Sequence, residues 1–406
     1  IMTTRVGIGS SEDASSYEAA REAAAVARER VGTSACDLAV LFATGKHDPA
    51  AVRDGLRSVV GGSARIFGGS TAGIITNDTL GYGPSHVGLA LLSSDSIKCD
   101  LFIEPGIKGA EYDKGISLGR QIRQTEFIGE PNLLLIYDSV KQSASEGQPL
   151  LNFATPLIEG MTRSLERWPP VAGVGVMADP QFFYPAAQWF DDRIERHSAM
   201  TLALSGRVKM DTLILHGCKP ASDYHTITKA MDNVVLEIDG KPALDMIADL
   251  LGPESGIRPD GYPFFITLGV NRGDKFGPYV EANYANRLCL AVDSKHRALV
   301  MFEPDLRPGS EVQLMRRSID FDYIGKAMSG FLASLGDRKP IFALYIDCLG
   351  RAAAFSGTEN EEAAEVQKYV GTRMPLLGVY SGVEIARVGG SIQPLDWTGV
   401  LCVLSE

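Results

Sequence analysis

Arg351 and Glu384 are the two charged side chains best placed to grip a small ligand. Arg351 follows the apolar run Ile341 to Ile346 and then Asp347-Cys348, whereas Glu384 follows the run Pro375 to Tyr380. A guanidinium offers a planar, permanently charged fork that fits a carboxylate. A carboxylate beside it can bind an amine or take up a proton. The two could equally satisfy each other as a structural pair. Tyr380 and Ser381 stand next to Glu384 and offer an aromatic wall and a hydroxyl. A second cluster is the turn Gly68-Gly69-Ser70-Thr71-Ala72-Gly73. Its backbone N–H groups have little steric cover and could nest a carboxylate or phosphate. It lacks a G-K-[ST] ending and no helical pattern follows, so nucleotide binding is not expected. A tight turn needing positive φ would explain the glycines as well. Asp138, which closes the run Asn132 to Tyr137, and Gly173, which interrupts Pro170 to Met177, complete the set. The candidate ligand-binding residues are therefore Gly69, Ser70, Thr71, Asp138, Gly173, Arg351, Tyr380, Ser381 and Glu384.

For catalysis the candidates are His216, Cys348, Arg351 and Glu384, as base, nucleophile and anion clamp. His216 ends the run Thr212 to Leu215, two residues before Cys218. In an extended chain positions i and i+2 share a face, so a Cys–His pair is geometrically open. A histidine satisfied at a strand end explains the same pattern. Asp223 and His225, with His216, form a loose group that lacks an assured third ligand, so no metal is expected. Arg272 and Lys275 read as a charged, solvated turn. No cofactor is implied.

These residues need elements to hold them. Ala14 to Val31, rich in alanine and alternating charge, reads as a surface helix. Asp37 to Phe42 is a buried strand, Asp48 and Pro49 start a helix over Ala50 to Val60, and Ala64 to Phe67 returns as a strand. His86 to Leu92 is the next strand. A similar succession follows: Asn132 to Tyr137, a helix near Leu150 to Leu165, Pro170 to Met177, then His197 to Leu204. It returns a third time as Ile341 to Ile346, the helix Asn360 to Val370, Pro375 to Tyr380 and Thr398 to Leu404. The pattern is a repeated strand–helix–strand–strand unit, although any α/β protein offers such runs. Leu251 to Gly256 has boundary composition. Beyond it, Phe264 to Val270, Arg287 to Val292, Ala298 to Phe302 and Val312 to Arg316 read as β segments, and Asp322 to Leu335 as a helix. The expected class is α/β, with α+β mixed sheets in two domains: residues 1–36 as tail and helix, then 37–250 and 257–406.

Bulk properties fit a globular chain of that size. Of its 406 residues 45% are hydrophobic and 22% charged, which argues against extensive disorder. A formal charge of −11 gives no basic footprint for nucleic acid. No apolar stretch is long enough for a membrane helix, and Ile1-Met2-Thr3-Thr4-Arg5 lacks the pattern of a secretory leader. Six scattered cysteines without a C-x-x-C pair fit reduced thiols and a cytoplasmic location.

Several of these segments, taken in order, resemble the FIST family. Asp37 to Gly73 looks like the start of its N-terminal domain, with Gly69 where a G-C-S-T-A-G loop has cysteine. His216-Gly217-Cys218-Lys219-Pro220 is similar to the family's H-G-W-x-P segment, with Cys218 at the aromatic position. Thr228-Lys229-Ala230 and Asn233 to Leu244 resemble its T-x-A and L-D-G-x-P-A-L stretches. Cys348-Leu349-Gly350-Arg351 and Gly378-Val379-Tyr380-Ser381-Gly382-Val383-Glu384-Ile385 are similar to its C-terminal domain, with Gly382-Val383 departing from G-x-Y-S-x-G-E. The resemblance implies a sensory domain that binds a small ligand, amino-acid-like or another carboxylate metabolite. Signalling would then run through a separate partner protein, and the oligomeric state is not readable. The alternative is a metabolic enzyme, most plausibly a hydrolase acting on a small cyclic or carboxylated metabolite.

Overall fold

The computed structural model describes residues 4–318 and 320–406, so Ile1, Met2 and Thr3 of the opening segment lie outside it. Three six-stranded mixed sheets share one plan. Each is built on two parallel strands joined by a helix: Leu38–Thr44 with Arg65–Thr71, Asn132–Asp138 with Val171–Val176, and Pro340–Cys348 with Leu376–Ser381. An antiparallel strand returns beside the first of each pair: Val87–Ser93, Ser198–Gly206 and Gly399–Ser405. The repeated unit read from the apolar runs is therefore real. It is also longer than expected, because each unit begins with an edge strand: Arg5–Ser11, Ile97–Pro105 and Lys209–Leu215.

The sheets are completed by exchange. The hairpin strand Ile74–Thr76 of the first unit pairs with Leu376–Ser381 of the third. Val383–Val388 of the third pairs with Val171–Val176 of the second. Gln188–Phe190 of the second pairs with Arg65–Thr71 of the first. The exchange is cyclic, and side chains from all three sheets, among them Phe42, Phe67, Ile136, Val174, Ile346 and Val379, meet in one buried apolar cluster.

Local chemistry explains the elements. Asp48 accepts from the Ala51 N–H at 2.9 Å with Pro49 in the first turn, so the helix Pro49–Val60 starts where its cap dictates. The alanine-rich helix Ser16–Val31 has one exposed face only. Ala19, Ala20, Ala23, Ala24 and Ala27 are fully buried, because Gly7 and Gly9 of the edge strand let the two backbones approach. The strand expected to end at Phe67 runs on to Thr71. It is held extended by Leu38–Thr44 on one side and the donated hairpin on the other.

Between Cys218 and Arg317 the third unit is interrupted by a further antiparallel sheet of short strands. Pairing of Leu268 with Leu314 and of Gly269 with Gln313 joins the strand Thr267–Asn271 to Glu311–Arg317, closing a small barrel. The segment Leu251 to Gly256 follows the helix Ala243–Leu251 inside this insertion, with strands of the same sheet on both sides. Among the described residues no helix is long and apolar enough to cross a membrane.

Candidate functional site

A cleft of about 280 Å³ opens between the carboxyl ends of the third sheet and the inserted barrel. Its floor is set by the parallel pair, in which Cys348 and Ser381 stand directly opposite each other. Its walls are Phe182, Phe264, Phe302, Phe355 and Trp397. Three of these aromatics have left-handed backbones: Phe182 at φ 55°, Phe264 at 60° and Trp397 at 49°. Bulky residues avoid that region, and it persists where surrounding bonds over-determine it. Such bonds are present. Phe182 N–H donates to Asp179 O at 3.2 Å, Phe264 N–H to Cys289 O at 2.7 Å, and the Trp397 carbonyl accepts from Arg351 Nη1 at 3.3 Å.

The floor is polar but uncharged. Ser381 Oγ donates to Glu384 Oε1 at 2.6 Å and lies 3.0 Å from the Asp347 carbonyl. Glu384 is fully buried, and its Oε2 has no hydrogen-bond partner among the described residues. Burial, reinforced by the neighbouring Asp396 and Asp347 charges, pushes its carboxyl well above the usual range. Burial and the nearby Glu384 likewise push the Cys348 thiol well up. The Ser381 hydroxyl and the Cys348 thiol can exchange hydrogen bonds with a ligand, but a protonated thiol is a poor nucleophile.

Cys348, Ser381 and Glu384 are thus brought together, and the other sequence-selected residues are not. Arg351 and Tyr380 lie on the opposite face of the same sheet. Arg351 Nε pairs with Asp347 at 3.0 Å and Nη2 with Glu362 at 2.5 Å, all buried, so its fork is fully used within the fold. Neither an anion clamp nor the imagined Arg351–Glu384 pair is formed. Tyr380 donates its hydroxyl to Glu361 at 2.9 Å. Gly69, Ser70 and Thr71 are strand residues, and their donors are spent. Ser70 N–H bonds Ala187 O at 2.8 Å, and the Thr71 hydroxyl bonds Gly73 O at 2.8 Å and Tyr380 O at 2.9 Å. No nest exists there, because the exchanged hairpin takes the bonds. Gly173 packs against Ile385 in mid-sheet. Asp138, pushed up to about 7 by burial, accepts from Val140 N–H and His197 N–H in the second unit.

His216 is buried, and its ring is engaged at both nitrogens. Nδ1 accepts from Cys218 N–H at 3.0 Å, which leaves Nε2–H to donate to Glu281 O at 3.0 Å. No nitrogen is left to act as the expected base. His225 pairs with Asp239 at 2.7 Å instead of approaching His216.

A model of the FIST N domain matches residues 37–241, and one of the FIST C domain matches residues 243–387. The chain belongs to the FIST family. It is also similar to an uncharacterised protein, MJ1623, of Methanocaldococcus jannaschii, at 22% identity over 64% of this chain and 52% of that protein. The chain therefore spans about half the length of that relative. FIST domains are in general sensory, ligand-binding domains of signal transduction.

In this FIST chain the site residues that sequence reasoning missed are the aromatic walls. Phe182 lies in Pro180-Gln181-Phe182-Phe183-Tyr184 and Phe264 in Pro263-Phe264-Phe265, aromatic runs within turn-like segments. Large apolar side chains where the chain has no periodic pattern were the available signal.

Proposed function

We propose that this FIST chain binds a small ligand in the aromatic cleft, and that the ligand is amino-acid-like or another small carboxylate metabolite. One observation carries the reading: three bulky aromatics in left-handed backbone surround a single cavity floored by two uncharged polar groups. Largely apolar walls with a few convergent polar groups are the usual make-up of a ligand pocket. A cytoplasmic location, with a separate signalling protein as partner, belongs to the same proposal and is supported by six cysteines that form no disulfide. The hydrolase reading retains one supporting observation, Cys348 on the cleft floor. The protonated thiol and the engaged ring of His216 weigh against it.

A metabolite screen by thermal shift, with each stabilising compound recovered and identified by mass spectrometry, tests both. The expected result is a compound returned unchanged, whose stabilisation is lost in Phe182→Ala. A chemically transformed compound would replace binding with catalysis. A hit whose stabilisation survives Phe182→Ala would put the ligand elsewhere.

A further inference from the structure

Trp397 is a partition with a cavity on each side: the aromatic cleft, and a wider polar hollow of about 880 Å³. Arg317 lines the hollow, with its guanidinium carbon 3.3 Å from the centroid of the Trp397 ring and 6.0 Å from that of Phe265. Two hydrogen bonds hold it there, from Nη2 to the Phe264 carbonyl at 2.6 Å and to the Thr267 hydroxyl at 3.2 Å. Its Nε–H is shut off from solvent without a partner.

What distinguishes Arg317 is its lack of a counter-charge. Arg317 is half-buried, whereas the two fully buried arginines are paired, Arg287 with Asp305 at 2.5 Å and Arg351 with Asp347 at 3.0 Å and Glu362 at 2.5 Å. No carboxylate among the described residues lies within 4.0 Å of Arg317. Arg351 is a neighbouring cation, and burial lowers the Arg317 pKa only to about 10, so it remains a cation at neutral pH. A partly desolvated cation without an anion carries a cost, and a ligand that supplies one lowers it. Asp320, Asp322, Glu359 and Glu365 also line the hollow, with Lys368 as its other cation. The four carboxylates disfavour polyanions such as phosphates more strongly than a ligand with a single negative charge.

We propose that the hollow is a second ligand site, distinct from the cleft, in which Arg317, stacked on Trp397, binds the carboxylate of a small monoanionic ligand. A planar carboxylate matches the guanidinium plane, and the indole face keeps that plane fixed.

The test is an NMR titration of the whole chain carrying ¹⁵N-labelled tryptophan, with Trp397→Phe used to assign the Trp397 indole resonance. The probes are propionate and its neutral isostere propionamide. Propionate should shift the Trp397 resonance, and propionamide should need about tenfold or more higher concentration to do so. In Arg317→Met the preference should vanish, whereas Arg317→Lys, which keeps the charge, should retain part of it. The wild-type comparison needs no variant to fold. Equal response to the two probes overturns the proposal, as does an unchanged preference in Arg317→Met or no response to propionate at all. Each of these outcomes leaves the cleft reading standing, because that reading rests on Phe182 and not on Arg317.

Discussion

Two buried carboxylates on opposite faces of the strand pair Pro340–Cys348 and Leu376–Ser381 show how context sets a residue's role. Glu384 has one hydroxyl donor, no ion-pair partner, and a carboxyl that burial pushes well above the usual range, which favours its neutral form. Asp347 has Arg351 against it at 3.0 Å and serves an ion network that also anchors the Trp397 carbonyl. Glu384→Gln therefore keeps both shape and charge, and should change stability by less than about 1 kcal/mol. Arg351→Met leaves Asp347 and Glu362 buried without their cation, and should cost about 3–5 kcal/mol. Urea denaturation of the two variants checks the contrast. Comparable losses would mean that Glu384 is ionised in the native protein. Both residues were visible in the sequence as charges following apolar runs. Their division between two faces was not, because it depends on which strand face each neighbour covers.

At the scale of elements, close approach of backbones governs the first unit. A Cβ at Gly9 would lie 1.9 Å from the Ala23 carbonyl oxygen, and one at Gly7 2.1 Å from that of Ala27. Gly9→Val must push the helix Ser16–Val31 off its strand. It should lower the urea midpoint by the equivalent of about 1–3 kcal/mol or more. Val26→Ala, on the exposed side of the same helix, should lie within about 0.5 kcal/mol of wild type. Equal effects at both positions would show that the helix is not seated as described. The alanines suggested a helix correctly. They did not disclose a buried face, since alanine is as common on exposed helices as against glycine.

The whole molecule buries an unusual set of acids within its interlocked sheets. Burial raises Asp138 to about 7 and Glu303 to about 8, and holds Glu384 well above its usual range. Their folded pKa values exceed the unfolded ones. The stabilisation is full below the unfolded carboxylate range and is lost as pH rises through the raised values. Buried thiols such as Cys218 and Cys402, pushed up to about 12, act in the same direction at higher pH. Histidines with lowered values, His47, His86, His197 and His216, act oppositely, but only as pH falls below about 6.5. Between about pH 6.5 and pH 8 the melting temperature should therefore fall, with Asp138 contributing up to about pH 7 and Glu303 up to about pH 8. Glu303→Gln should flatten that slope by up to about 1.4 kcal/mol per pH unit below about pH 8. A rising melting temperature over this interval would contradict the assignment of buried neutral acids.

The sequence by itself determined the central strands and helices of each unit, though not its edge strand or the helix Glu111–Arg123, as well as that the unit recurs and that Cys348, Ser381 and Glu384 follow strand ends. Those properties are local: apolar runs, caps such as Asp48, and breakers are written in neighbouring residues. It did not determine that hairpins pass from unit to unit. Nor did it show that Gly68 to Thr71 is strand instead of anion nest, or that Arg351 faces away from the cleft while Phe182, Phe264 and Trp397 wall it. Those were settled by contacts between segments far apart in the chain, such as Gln188–Phe190 against Arg65–Thr71 and Arg351 beneath Trp397. Hydrogen-bond demand and side-chain direction are decided by the partner that arrives, and here that partner comes from another unit.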